Sequence, residues 1–198
     1  MTLSIAAPGR TWMCDLDGVL WLADHPIAGS ADAVNRLRHA GVRVVFFTNN
    51  SFVTRAKQIA KFKSHGVEVA DEDLFDSAQA AAQLIEPGER VFVLGGDGIH
   101  EALSARGAVV ADGADPSSID AVVVGLDPSL DFGRLTRAVR AVAGGARLVG
   151  TNDDATYPTP DGPLPGGGSL LAAVAFASGM TPLVAGKPYP TAAALVHA

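Results

Sequence analysis

The sequence predicts an α/β protein organised around a largely parallel sheet. Three observations carry this prediction. Short apolar runs alternate with segments of helical periodicity through most of the chain, which is the pattern of successive βαβ units. Glycines stand where the helical segments stop, at Gly41, Gly66 and Gly179, as C-terminal caps do. Of the 198 residues, 48% are apolar and 18% charged, a globular composition long enough for one sizeable domain or two small ones.

Taken in order, Thr11-Trp12-Met13-Cys14 reads as a first short strand, with Cys14 as buried packing. Ser30 caps a helix carrying Ala33, Val34, Leu37 and Ala40. The run from Val42 to Phe47 reads as a buried strand ending at Thr48-Asn49-Asn50-Ser51. Thr54 opens a helix with Ala56, Ile59, Ala60 and Phe62 inward. Its basic residues, Arg55, Lys57, Lys61 and Lys63, read as a solvated face. A short strand at residues 73–77 and an Ala-rich helix around 79–85 follow, and Pro87-Gly88 is a break. A second series then begins, with strands at 91–94, 109–110, 120–124 and 148–149 and helices near 99–105 and 132–143. The Pro- and Gly-rich stretch 156–168 is expected to be irregular, and Ser169 to cap the helix 170–177. Gly95-Gly96-Asp97-Gly98 lacks the full dinucleotide-binding pattern and reads as a tight turn from strand to helix.

Several function classes are disfavoured by composition. Fifteen Lys+Arg against 21 Asp+Glu give a formal charge of -6, with no basic stripe for nucleic acid or an anionic membrane. The longest apolar run, 170–177, is far short of a membrane span. Met1 to Arg10 lacks the regions of a signal peptide, which makes the cytoplasm the default. One cysteine allows neither a disulfide framework nor a Cys-rich zinc site.

The residues that point to chemistry are Asp15-Leu16-Asp17-Gly18, at the end of the first strand. Alternate strand residues point the same way, so both carboxylates are delivered to one sheet edge. Two convergent carboxylates require a metal, a proton or a hydrogen-bond network. In an EF-hand the glycine stands sixth; Gly18 is the fourth residue from Asp15, which excludes that calcium loop. Thr48, Asn49 and Asn50 end the next core strand, and ligands of open α/β sheets bind beyond the strand ends. Their hydroxyl, amide and backbone groups suit phosphate oxygens. The lysine of Gly186-Lys187-Pro188 supplies a positive point charge. Nucleophile, neutral donors and cation together describe a phosphoryl-transfer site.

These residues resemble the haloacid dehalogenase superfamily of aspartate-dependent phosphatases. Asp15-Leu16-Asp17-Gly18-Val19 is similar to its first motif, Phe47-Thr48-Asn49-Asn50-Ser51 to its second and Gly186-Lys187-Pro188 to its third. Their order and separation resemble the branch with a type II cap, which includes para-nitrophenyl, phosphoglycolate and pyridoxal phosphate phosphatases. Gly150-Thr151-Asn152, Tyr157-Pro158 and Asp161-Gly162 are similar to that cap. The resemblance implies a Rossmann-like core of residues 1–78 and 180–198, with residues 79–179 inserted as an α/β cap. It implies Asp15 as nucleophile forming an aspartyl-phosphate and Asp17 as general acid and base. Thr48, Asn49, Asn50 and Lys187 would hold the phosphoryl group of a small phosphorylated metabolite, and Tyr157 would face it from the cap. Magnesium (Mg2+) would bind the Asp15 carboxylate and the Asp17 main-chain carbonyl. The branch often pairs through its caps, so a homodimer through the cap is one assembly the resemblance leaves open.

The family's fourth motif, an acidic pair that follows the lysine segment, has no counterpart in Pro188 to Ala198, and neither has the fourth core strand. The resemblance therefore implies a core incomplete at its C-terminus and impaired hydrolysis by these residues alone. Two further readings stay open: a non-catalytic phospholigand-binding module, and a phosphotransferase using the same site.

Overall fold

The computed structural model describes residues 11–197, so the N-terminal reading at Met1 to Arg10 lies outside the described residues. The chain forms two compact units. The first holds the described residues up to Thr48, Arg55–Phe75 and Pro158–Gly162; the second holds Asn49–Thr54, Asp76–Tyr157 and the chain from Pro163 on.

In the first unit, β1 (Thr11–Cys14) is followed by a small antiparallel pair, β2 (Trp21–Leu22) and β3 (His25–Pro26). Helix α1 (Ser30–His39), β4 (Arg43–Thr48), α2 (Arg55–Ser64) and β5 (Leu74–Asp76) complete it. The sheet order is β1-β4-β5, and β1 runs parallel to β4, Cys14 standing opposite Phe46. The central strand is buried from Val44 to Thr48, as a strand covered on both faces must be. Its Phe46 packs against Phe62 at 4.6 Å, and Trp21 meets Phe62 edge-on at 5.0 Å. At the sheet edge, Trp12 and Met13 are 47% and 58% exposed, and Cys14 is only half-buried, less than its strand position predicts. Ser30 does not cap α1. The cap residue is Gly29, and the Ser30 hydroxyl donates instead to the Leu20 and Ile27 carbonyls.

The second unit begins with α3 (Ser77–Ala82), whose start is fixed by a reciprocal capping box. The Asp76 carboxylate accepts from Gln79 N–H at 2.8 Å, and Gln79 Oε1 accepts from Asp76 N–H at 3.1 Å. Next come β6 (Arg90–Leu94), α4 (Asp97–Arg106), β7 (Val109–Val110), β8 (Ala121–Val124), α5 (Phe132–Ala143) and β9 (Arg147–Gly150). The stretch expected to be irregular contains a hairpin, β10 (Thr156–Thr159) and β11 (Gly162–Pro165). Its prolines hid the alternation that marks a strand. Then follow α6 (Gly167–Ser178), β12 (Leu183–Val184) and α7 (Pro190–His197).

The five-stranded sheet has the order β12-β9-β8-β6-β7, and every neighbouring pair is parallel. Its middle strand, β8, is buried at all four positions. β7 pairs with β6 only at Arg90 and Val91. Farther along, side chains take over: the Val93 N–H donates to Asp112 at 2.9 Å, and its carbonyl accepts from Arg134 at 3.0 Å. β12 joins this sheet beside β9, with Ala185 N–H donating to the Gly150 carbonyl at 3.0 Å. Parallel pairing thus ties Leu183 and Val184 to the second unit's sheet.

Among the described residues, no helix is long and apolar enough to cross a membrane.

Candidate active site

The first unit supplies the acidic group. β1 ends at Cys14, and the chain turns through Gly18, whose φ of 83° suits a residue without a side chain. The Gly18 N–H donates to the Trp21 carbonyl at 2.7 Å, and the Leu16 carbonyl accepts from Val19 and Leu20. Asp15 Oδ1 accepts from Leu16 N–H at 2.8 Å, which orients the carboxylate. Asp17 Oδ1 accepts from the Trp21 indole N–H at 3.0 Å, and Asp17 Oδ2 accepts from the Thr48 hydroxyl at 3.3 Å. The predicted neighbourhood of Asp17 and Thr48 is therefore present within one unit.

Burial pushes the Asp17 carboxyl above its ordinary value. The charge of Lys61 and the hydrogen bonds from Trp21 and Thr48 pull the other way, and the Asp15 charge adds a small upward push. Lys61 is not the solvated residue its helix suggested. Its ammonium donates to the Ala23 carbonyl at 2.5 Å, lies 3.5 Å from Asp24 and sits 4.9 Å above the Trp21 ring. Trp21 and Lys61 are neighbours of Asp17 that the sequence reading missed. The signal for Trp21 was its place four residues after Asp17 in a turn that must fold back; Lys61 left none.

A separate amide and lysine group lies within the second unit. The chain passes from Thr48 directly into Asn49, whose side chain meets Lys187 across 138 residues. Asn49 Oδ1 accepts from Lys187 N–H at 2.9 Å, and Asn49 Nδ2 donates to the Lys187 carbonyl at 3.0 Å. Asn50 Oδ1 accepts from Phe52 N–H at 3.0 Å and so shapes the turn. Gly186 has no room for a side chain. A Cβ there would lie 2.4 Å from the Thr151 carbonyl oxygen and 2.6 Å from Asn49 Oδ1. The Lys187–Pro188 peptide bond is cis. Tyr157 is half-buried in β10, with no hydrogen bond to Asn49 or Lys187 among the described residues.

The loop 95–98 is a strand-to-helix turn as expected, but close approach explains its glycines. A Cβ on Gly98 would stand 2.4 Å from the Val53 carbonyl oxygen, and one on Gly96 2.3 Å from that of Phe52. The Gly166 to Gly168 segment is likewise packed on the loop at Asp153 and Asp154.

Among the described residues no three acidic, His or Cys side chains gather into a metal cage. A hard divalent ion that keeps waters and takes substrate oxygens needs only one or two protein ligands. The oriented Asp15 carboxylate and the Asp17 main-chain carbonyl are of the right chemistry for that role.

Residues 12–109 match the family model described as haloacid dehalogenase-like hydrolase. An acid sugar phosphatase of Staphylococcus saprophyticus is 33% identical over 184 residues, which cover 91% of this chain and 70% of that protein. A hypothetical protein of Pyrococcus horikoshii superposes with a TM-score of 0.85 at 33% identity, over 95% of this chain and 75% of that one. A glycerol phosphate phosphatase of Mycobacterium tuberculosis, solved with magnesium, gives 0.84 at 34% identity, over 94% of this chain and 57% of that one.

Proposed function

Because this chain belongs to the haloacid dehalogenase-like hydrolases, and within them to the phosphoric monoester hydrolases, we propose that it hydrolyses a small phosphomonoester through an aspartyl-phosphate on Asp15, with Mg2+ as cofactor. The observation that carries this reading is the half-buried Asp17 carboxyl, two residues after Asp15 just beyond β1 and held by the Thr48 hydroxyl at 3.3 Å.

In the first half-reaction an Asp15 oxygen forms the bond to phosphorus, and the bond from phosphorus to the leaving oxygen breaks. Asp17, favoured in its protonated form by burial, gives its proton to that leaving oxygen. In the second half-reaction Asp17 takes a proton from the attacking water as its oxygen bonds to phosphorus, and the bond from phosphorus to the Asp15 oxygen breaks, freeing Asp15 and inorganic phosphate. The 48–50 segment and Lys187 hold the phosphoryl oxygens, Lys187 offsetting their charge. The Asp15 carboxylate and the Asp17 main-chain carbonyl would hold magnesium, which would supply positive charge to offset that of the phosphoryl group. The magnesium in the Mycobacterium relative supports a divalent ion here.

A small phosphorylated sugar or polyol is the proposed substrate class, supported by relatives named for acid sugar phosphatase and glycerol phosphate phosphatase activity. Tyr157 is the proposed contributor to substrate choice. Residues 79–179 are proposed as the inserted cap, with 1–78 and 180–198 as the core. A non-catalytic phospholigand module is not favoured, since the named relatives are phosphatases.

The test is Asp15→Asn in the full protein, assayed with para-nitrophenyl phosphate and magnesium. Turnover should fall by orders of magnitude. Retained magnesium-dependent turnover would remove Asp15 as nucleophile.

A further inference from the structure

The amide of Asn49 was expected to serve phosphate oxygens, yet its hydrogen bonds describe a different duty. A carboxamide has two N–H donors and one carbonyl oxygen. Here the oxygen accepts from Lys187 N–H at 2.9 Å. The nitrogen donates to the Lys187 carbonyl at 3.0 Å and to Asp154 Oδ2 at 3.0 Å. Lys187 is thus gripped at both main-chain polar groups, as a neighbouring strand would grip it.

Asp154 determines the direction of that grip. An ionised carboxylate only accepts, so the amide end facing it must be nitrogen. Reversed, the amide would set oxygen against carboxylate and would turn two N–H groups on the Lys187 N–H. The same segment also anchors the Asn49 main chain. The buried Asn152 side chain donates to the Asn49 carbonyl at 2.8 Å, and its oxygen accepts from Asp154 N–H at 3.1 Å. Ser77 Oγ donates to that same carbonyl at 2.7 Å. Asn49 is therefore held at its main chain by Asn152 and Ser77, and at its side chain by Asp154.

We propose that Asp154 is a positioning residue: it fixes the Asn49 carboxamide, which in turn holds the Lys187 main chain and sets where the lysine side chain begins. This rests on the phosphatase reading of Lys187 and deepens it. Asp154 acts through Asn49 and needs no contact with substrate.

The test uses Asp154→Ala, Asp154→Asn, Lys187→Ala and the double variant of the full protein, with two readouts. The first is amide hydrogen exchange at Lys187. Losing the charge-assisted bond should speed it about tenfold in Asp154→Ala. Asp154→Asn, whose carboxamide oxygen still accepts from Asn49, should stay near the wild type. The second is steady-state hydrolysis of para-nitrophenyl phosphate. Asp154→Ala should lower kcat about tenfold with little change in KM. In the Lys187→Ala background it should cost nothing further, because both changes disable one device.

Unchanged Lys187 exchange in Asp154→Ala would overturn the proposal, as would losses that multiply in the double variant. Either result with Lys187-dependent turnover intact leaves the phosphatase reading standing. A wild-type protein without turnover would instead remove that reading, and the exchange rates alone would then decide the clamp.

Discussion

Trp21→Phe separates two contributions that meet at one side chain. Trp21 is 1% exposed, packs edge-on against Phe62 at 5.0 Å and donates its indole N–H to Asp17 at 3.0 Å. Phenylalanine keeps an aromatic ring in the core but is smaller, which costs about 1–2 kcal/mol of packing at any pH. It also removes the donor. A hydrogen bond to a charged group contributes about 1.5–3 kcal/mol, whereas one to a neutral group contributes about 0.5–1.5 kcal/mol. Asp17 has a raised folded-state value. The stability linked to its protonated form is thus fully present below the unfolded carboxylate value and is lost as pH rises through the folded one. Removing the indole donor raises the folded value further, so its extra cost appears only where Asp17 is ionised. Urea unfolding followed by circular dichroism should therefore show a loss of about 3–4 kcal/mol at neutral pH. In acid, below the ordinary carboxylate range, the loss should be smaller by about 1 kcal/mol or more. An equal loss at both pH values would refute the hydrogen-bond argument and leave packing alone.

Two further outcomes are expected. Gly186→Ala should cost about 1–3 kcal/mol of stability, because its Cβ meets a main-chain carbonyl at 2.4 Å. It should also lower phosphatase turnover on the order of 100-fold as Lys187 is displaced; unchanged melting and turnover would show that the loop yields freely. His100 lies between the Gly96 carbonyl and the Asp112 carboxylate, at 3.1 and 3.2 Å. Its value is raised, chiefly by the Asp112 hydrogen bond, against burial and with help from the Gly96 carbonyl and the Asp112 and Asp97 charges. The stability this adds is present below the ordinary histidine value and disappears as pH rises through the folded one. His100→Gln should abolish that part of the pH dependence in thermal melts; a slope identical to the wild type would refute it.

Strand and helix placement was legible wherever periodicity and punctuation agreed. The strand over 43–48 needed only its unbroken apolar run, and α2 only its spacing and the glycine at 66. Legibility failed where tertiary partners set the local structure. Pro160-Asp161-Gly162 marks a turn, but the prolines at 158 and 163 mask the alternation that would identify its flanks as paired strands. The glycines at 96 and 98 were read as a turn, yet the chain passing at Phe52 and Val53 is what forbids side chains there. At the candidate site, Asp15, Asp17, Thr48 and Lys187 could be singled out from motif and spacing as candidates. Their supports could not. Asp154 acts through a partner 105 residues away, which no spacing rule reaches, whereas Trp21 left only its place four residues after Asp17.

The Asn49 hub also has a kinetic meaning. Its partners lie 28, 103, 105 and 138 residues away, so each bond closes a long loop before it returns any energy. Contacts of such separation form late and slow the search for the native state. Substitutions at Asn49, Asn152 or Asp154 should then accelerate unfolding while leaving the folding limb of a chevron nearly unmoved. The lysine-holding loop would be the last piece to lock and the first to open.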